Sequence, residues 1–181
     1  MQKRNYNELF VHVAMCTHKT AKDVLLISNK AAPLLEELAK YKNTNIKTLK
    51  TELDELQNEQ DELYDIVLCE AEPTKAMAGH INRVLKKDGL ATFSGFNLID
   101  QESSTAKFKE IGKYFKIVMP YSLLGHNKAV LASKEYHPTA DIILQRADLT
   151  DGYEVYNSDL HVALFAMPTY TKKTYLGVIK N

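Results

Sequence analysis

Residues 61 to 73, Asp-Glu-Leu-Tyr-Asp-Ile-Val-Leu-Cys-Glu-Ala-Glu-Pro, constrain the fold more than any other stretch. Ile66-Val67-Leu68-Cys69 is an unbroken, β-branched-rich run with no alternation, which predicts a strand buried on both faces, as in a parallel sheet between helices. Glu70 and Glu72 then fall just past the strand's carboxyl end, the edge at which open α/β sheets collect their ligands. Two carboxylates there can read a cation or act as a base on an amine. The alternative is that both are solvated loop acids, with Pro73 at the first position of the next helix.

The remaining pattern supports the same architecture. Tyr6, Leu9, Phe10, Val13 and Ala14 recur at helical steps and predict an amphipathic helix over 5–18, with Glu8 and His12 on one face. Strands are predicted at 23–28, 46–49, 64–69 and 90–96, with a last pair near 116–119 and 129–132. Helices are predicted from Pro33, within 50–63, over Met77 to Leu85 with Gly89 as the stop, and after a Ser103 or Ser104 cap. Two more are expected near 139–147 and 158–166, the latter capped by Asn157 or Ser158. The connection between the last two strands is too short for a right-handed crossover, so they must pair antiparallel. The fold class is therefore α/β: a Rossmann-like, methyltransferase-type doubly wound sheet, mostly parallel, ending in an antiparallel hairpin. Residues 1–181 are expected to form a single domain.

Composition narrows the function. Lys plus Arg and Asp plus Glu stand at 23 each, so no net field recommends nucleic acid or an anionic membrane as partner. The amino end carries no apolar core of signal-peptide length, and no segment reaches the roughly 18 apolar residues of a membrane span. Cys16 and Cys69 make no disulfide framework and read as reduced, packed thiols of a cytoplasmic protein. His12, Cys16 and His18 match no metal-ligand spacing, so no metal is expected.

The residues also carry a family resemblance. Tyr156-Asn157-Ser158-Asp159-Leu160-His161-Val162-Ala163-Leu164-Phe165-Ala166-Met167-Pro168 is similar to the ending Tyr-Tyr-Asn-x-x-Ile-His-x-Ala-x-Phe-x-Leu-Pro of the polyamine aminopropyltransferases, the spermidine synthases. Tyr6-Asn7-Glu8 with His12 resembles their Tyr-x-Glu-x-x-x-His helix. Tyr64-Asp65-Ile66-Val67 resembles Phe-Asp-Val-Ile, and Val84 to Gly89 resembles Leu-Lys-x-Asp-Gly. The chain looks most like the divergent form found in ε-proteobacteria, without the family's amino-terminal β-strand domain if Met1 is the start.

The resemblance implies transfer of an aminopropyl group from decarboxylated S-adenosylmethionine, a co-substrate rather than a tightly bound cofactor, to putrescine or a related amine. It implies small-molecule partners, an amine and a nucleoside, and a homodimer. Catalytic roles fall to Glu72, which matches the second acid of Asp-Ser-Thr-Asp-Pro, and to Glu70, one position from the first, which aligns with Cys69. Tyr6, Glu8 and Tyr121 are implied to bind substrate, with Ser122 the alternative to Tyr121. Ser28, Lys50 and Cys69 fall where the family holds the nucleoside. Several family features are replaced. Ser28-Asn29-Lys30-Ala31-Ala32 stands for Gly-Gly-Gly-Asp-Gly, Lys50 stands for the ribose-binding acid, and a strand is deleted between Leu56 and Leu63. These losses keep two other readings open: a catalytically silent relative acting as a binding or assembly module, and an S-adenosylmethionine-dependent methyltransferase. For Tyr6 a packed helix aromatic is the competing reading, and His12 and His161 read as structural histidines.

Overall fold

The computed structural model of the chain describes residues 2–125 and 127–181. Strands β1 (Asp23–Ile27), β2 (Asn45–Leu49), β3 (Tyr64–Cys69), β4 (Leu85–Phe96), β5 (Ile117–Ser122) and β6 (Lys128–Ser133) form one sheet in the order β2-β1-β3-β4-β6-β5. The first four run parallel, and β6 is antiparallel to both β4 and β5. This is the expected doubly wound sheet with its terminal hairpin. Between β2 and β3 lies only a short helix, α3 (Leu53–Gln57), and among the described residues β2 is the sheet's outer strand, in line with the expected deletion. Met1, on which the expectation of an absent amino-terminal domain rests, lies outside the described residues.

The continuous apolar runs are explained by burial on both faces. Successive side chains of a strand alternate sides, so Val24, Leu26, Ile66, Leu68, Leu90 and Leu131 pack into one cluster under α1 (Gln2–Thr17) and α2 (Ala32–Leu38). Leu25, Ile27, Val67, Cys69, Ala91 and Phe93 pack into a second, under α4 (Lys75–Val84) and α5 (Gln101–Gly112). Each fully buried large aliphatic or aromatic side chain contributes about 1.5–3 kcal/mol, so both faces select apolar residues in mid-strand.

Four local expectations are corrected. First, α1 is not amphipathic along its length, because every residue from Glu8 to His18 is buried. The carboxyl-terminal segment, with α6 (Leu144–Leu149) and α7 (Ser158–Leu164), covers the face the pattern left to solvent. Arg146 of α6 caps α1 by donating to the carbonyls of Met15, His18 (2.8 Å) and Lys19 (3.2 Å), which satisfies carbonyls that a helix end leaves unpaired.

Second, α4 stops at Val84 and β4 begins at Leu85 with no turn between them. Gly89 is therefore not a helix stop. A Cβ there would lie 2.9 Å from the Leu85 side chain, so the glycine makes room for the tight entry into β4. Thr74, not Pro73, starts α4, its side chain accepting from the Met77 amide at 3.2 Å. Third, the cap of α5 is Asp100. Ser103 gives its amide to the Asp100 carboxylate at 3.1 Å, and Ser104 donates its hydroxyl to the Asn97 carbonyl at 2.8 Å. Fourth, the helix expected at 139–147 is shorter and later (α6), and a further helix, α8 (Thr169–Thr174), follows α7. The Asn157 cap of α7 is found as expected, accepting from the Leu160 amide at 2.7 Å.

Candidate active site

The chain leaves β1 through α2 to reach β2 on one side, and leaves β3 through α4 to reach β4 on the other. Adjacent connections therefore diverge at the carboxyl ends of β1 and β3, opening the crevice that this topology makes available to ligands. The two residues following those strand ends are Ser28 and Glu70. The Glu70 amide continues the ladder by donating to the Ile27 carbonyl at 2.9 Å, and Ser28 does the same to Leu49 at 2.9 Å. Both side chains thus stand on rigid sheet rather than on loop.

Glu70 is the focus. Its Oε1 accepts from the Tyr6 hydroxyl at 2.6 Å, and its Oε2 accepts from the Ser28 hydroxyl. Tyr6 comes from α1 and stacks on Phe10, with centroids 5.3 Å apart. Burial, and then the adjacent Glu70 carboxylate, push the Tyr6 phenol well above its ordinary pKa, so it stays protonated and remains a donor. Ser28 Oγ in turn accepts from the Lys30 amide at 2.9 Å, which closes the turn after β1. Asn29 and Thr51 pair across the two strand ends, Nδ2 to Oγ1 at 2.5 Å, with the Thr51 amide returning to Oδ1 at 3.2 Å.

Glu70 and Glu72 face one concavity of about 450 Å³, whose walls include Asn29, Lys30, Thr51 and Ser94. Glu72 is exposed and pairs with Lys107 of α5, Oε1 to Nζ 2.9 Å. A larger cavity, about 750 Å³, opens on the opposite edge of the sheet between Lys22, Asn43 and Arg146. It lies at the amino ends of β1 and β2, away from the acids that follow β3, and size alone does not recommend it over the smaller cleft.

The structure brings together Tyr6, Ser28, Glu70 and Glu72, and sets the other expected site residues elsewhere. Cys69 points into the core under α4, its thiol pushed up to about 12 by burial and directed at the Ala71 carbonyl, 3.8 Å away. Side chains alternate along a strand, so placing Glu70 in the cleft turns Cys69 away from it. Lys50 is exposed, and its neighbour Thr51 supplies the cleft wall. Tyr121 is buried against Phe165 with centroids 5.2 Å apart, its hydroxyl 3.4 Å from the Leu9 carbonyl. Ser122 accepts from the Leu124 amide and from Lys128. Glu8 is 1% exposed, and its carboxylate accepts from the amides of Glu154 (3.2 Å), Val155 (2.8 Å) and Tyr156 (3.0 Å). Both of its short contacts fall on Oε2 and go to the backbone.

His12 bridges Tyr41 (2.7 Å) and Glu37 (2.8 Å), and His161 bridges Tyr156 (2.6 Å) and the Pro138 carbonyl (2.8 Å), which is the structural role expected of both. Sequence reasoning missed Lys107, Asn29, Thr51 and Ser94. Asn29, Thr51 and Ser94 sit at strand ends and were findable from that position alone, whereas Lys107 had no signal beyond a lysine on a helix. Among the described residues no group of three or more His, Cys, Asp or Glu is placed to hold a metal, and no helix is long and apolar enough to cross a membrane.

No family model matches the chain. It is 28% identical to the polyamine aminopropyltransferase of Helicobacter acinonychis, over 97% of this chain and 78% of that protein. Among solved structures, the spermidine synthase of Thermotoga maritima superposes with a TM-score of 0.83 at 19% identity, covering 95% of this chain and 74% of that one. A spermidine synthase in complex with the transition state analogue AdoDATO superposes with a TM-score of 0.84 at 18% identity, covering 95% and 75%. The resemblance read from the sequence is borne out, and the chain has the fold of these synthases.

Proposed function

We propose that this chain is an aminopropyltransferase of the spermidine synthase kind, moving an aminopropyl group from decarboxylated S-adenosylmethionine to putrescine or a related diamine. The observation that carries this reading is the Glu70 carboxylate, fixed by the Tyr6 and Ser28 hydroxyls in a cleft at the switch point of the sheet, with Glu72 on the same wall. A diamine enters as a dication, and two carboxylates on one wall are the groups that hold it. Glu72 anchors one ammonium. Glu70 receives the other and takes its proton, which frees the nitrogen lone pair. That lone pair attacks the methylene carbon in line with the sulfonium. The C–N bond forms as the C–S bond breaks, and the bonding pair leaves on sulfur as methylthioadenosine. Two hydroxyl donors leave lone pairs on each Glu70 oxygen unused, since a carboxylate offers about four acceptor sites. The donor nucleoside is assigned to the neutral hydrogen-bonding wall of Asn29, Thr51 and Ser94, beside Lys50, which stands for the family's ribose-binding acid. In the same reading the enzyme works in the cytoplasm, in keeping with two free thiols, and pairs as a homodimer, which sedimentation tests.

The test is incubation of the purified chain with decarboxylated S-adenosylmethionine and putrescine, followed by chromatography for methylthioadenosine and the triamine. Both products are expected, and Glu70→Gln is expected to lower the rate by about 100-fold or more, as for a lost general base, without lowering the melting temperature substantially. Undiminished turnover in Glu70→Gln would remove Glu70 from the mechanism. Thermal-shift titration separates the alternatives, since a specific ligand at a hundredfold excess over Kd stabilises by about 2.7 kcal/mol. A preference for intact S-adenosylmethionine would indicate a methyltransferase, and silence towards it, the decarboxylated form and methylthioadenosine alike would indicate a binding or assembly module.

A further inference from the structure

We infer that Lys107 occupies, within the folded chain, the place where the substrate's distal ammonium docks, and so sets which amines the cleft accepts. The inference rests on the amine reading of the site. The Lys107 Nζ lies 2.9 Å from Glu72 Oε1, 3.2 Å from the Gly95 carbonyl and 5.6 Å from the centre of the Phe96 ring. A carboxylate, a carbonyl and an aromatic face are three kinds of group that bind a primary ammonium, which has three donors and a charge to neutralise. The side chain is 17% exposed although it reaches a glutamate that is 63% exposed, so its stem packs along the rim and delivers the ammonium to Glu72.

Gly95 supports the same conclusion independently. A Cβ there would meet nothing within 4 Å, yet its φ is +80°, so the glycine is used for its backbone conformation and not for space. That conformation carries the carbonyl that accepts from Lys107. The cradle is therefore built into the irregular last residues of β4, where its register with β6 shifts, beside Ser94 on the cleft wall. An incoming diamine competes with Lys107 for Glu72 or settles for Glu70 alone. A longer polyamine, with another charge to spend on the displacement, is favoured over a shorter one.

Two variants test this by calorimetry and thermal shift. Lys107→Met keeps a long unbranched side chain and removes the charge, and is expected to bind putrescine about tenfold tighter, the effect of removing one like charge a few ångströms from the bound ammonium. Lys107→Ala leaves a vacancy the size of n-propylamine. That probe is expected to stabilise Lys107→Ala saturably while leaving the parent and Lys107→Met unaffected. Equal putrescine affinity in parent and Lys107→Met, with no response of Lys107→Ala to n-propylamine, overturns the role of Lys107 while leaving the transferase reading intact. Uptake of n-propylamine by Lys107→Ala in a chain that never releases methylthioadenosine upholds the cradle and removes the transferase reading. If no protein binds any amine, both fall.

Discussion

Glu8 offers the sharpest test of how this fold uses its acids. The resemblance assigns it to substrate, whereas the structure buries it and directs three backbone amides, those of Glu154, Val155 and Tyr156, at its oxygens. Glu8→Ala strands those amides in the interior between α1 and the carboxyl-terminal segment. A hydrogen bond to a charged group is worth about 1.5–3 kcal/mol. The Val155 and Tyr156 contacts, 2.8 and 3.0 Å, are the strong pair, while Glu154 shares both oxygens at 3.2 Å and adds little. The expected loss is about 3–5 kcal/mol, or a melting temperature lower by about 10–15 °C for a chain of this size. Glu8→Gln keeps one acceptor but turns an amide NH2 towards backbone donors, and should lose about 2 kcal/mol. The chain has no tryptophan, so far-ultraviolet circular dichroism in urea is the suitable probe. The midpoint should fall with the slope unchanged. Stability within about 1 kcal/mol of the parent in Glu8→Ala, accompanied by weakened ligand binding, would refute the tether and return Glu8 to the substrate.

Burial holds the His161 imidazole down at about 4, where it stays neutral with Nε2–H donating to Pro138 and Nδ1 accepting from Tyr156. The unfolded chain protonates this residue first, near pH 6.5, so its contribution to stability is complete above that value. It is lost between about 6.5 and 4, up to about 3 kcal/mol; urea midpoints at pH 7 and 4.5 should therefore converge more closely in His161→Gln than in the parent. Burial also raises both thiols, Cys69 to about 12, so Ellman's reagent at pH 8 should find neither cysteine until denaturant is added. Asp100→Ala should cost about 1 kcal/mol as the true cap of α5, while Ser103→Ala, whose amide and not its hydroxyl makes the contact, should stay within about 0.5 kcal/mol in the same urea assay.

What the sequence made legible is what depends on local period. The run 64–69 and its neighbours declare strands because both faces need apolar residues, and the short link before β6 declares its antiparallel course. The position of Glu70 and Glu72 past a strand end was equally readable. Less legible were features fixed by distant partners. Leu85 leaves the helical pattern because it pairs with Tyr64 and because Lys134 ties down the carbonyls of Asn82 and Leu85 at 2.7 and 2.8 Å. The polar face of α1 is buried because a segment more than a hundred residues later covers it. Lys86 falls between the helix predicted over Met77 to Leu85 and its expected Gly89 stop, yet it reaches Asp23 (2.7 Å) and Asp65 (2.9 Å) at the amino edge of the sheet. No window of neighbouring residues contains such information.

The same limit explains why three glutamates that resemble one another in sequence differ in chemistry. Glu8 is buried with its Oε2 taken by amides of its own chain, which no solute can displace without unfolding the segment that supplies them. Glu70 is held by two hydroxyls, neutral donors that orient the carboxylate without cancelling its charge. Glu72 is held by an ammonium at the end of a flexible side chain, the one partner of the three that another ammonium replaces in kind. Exchangeability therefore rises from Glu8 through Glu70 to Glu72. In the proposed reaction that order gives the proton to the fixed carboxylate and the far end of the amine to the exchangeable one. A Glu72→Gln chain should accordingly lose amine affinity before it loses the capacity to react, whereas Glu70→Gln should lose reaction at saturating amine. The separation of KM from kcat in these two variants tests that division of labour directly.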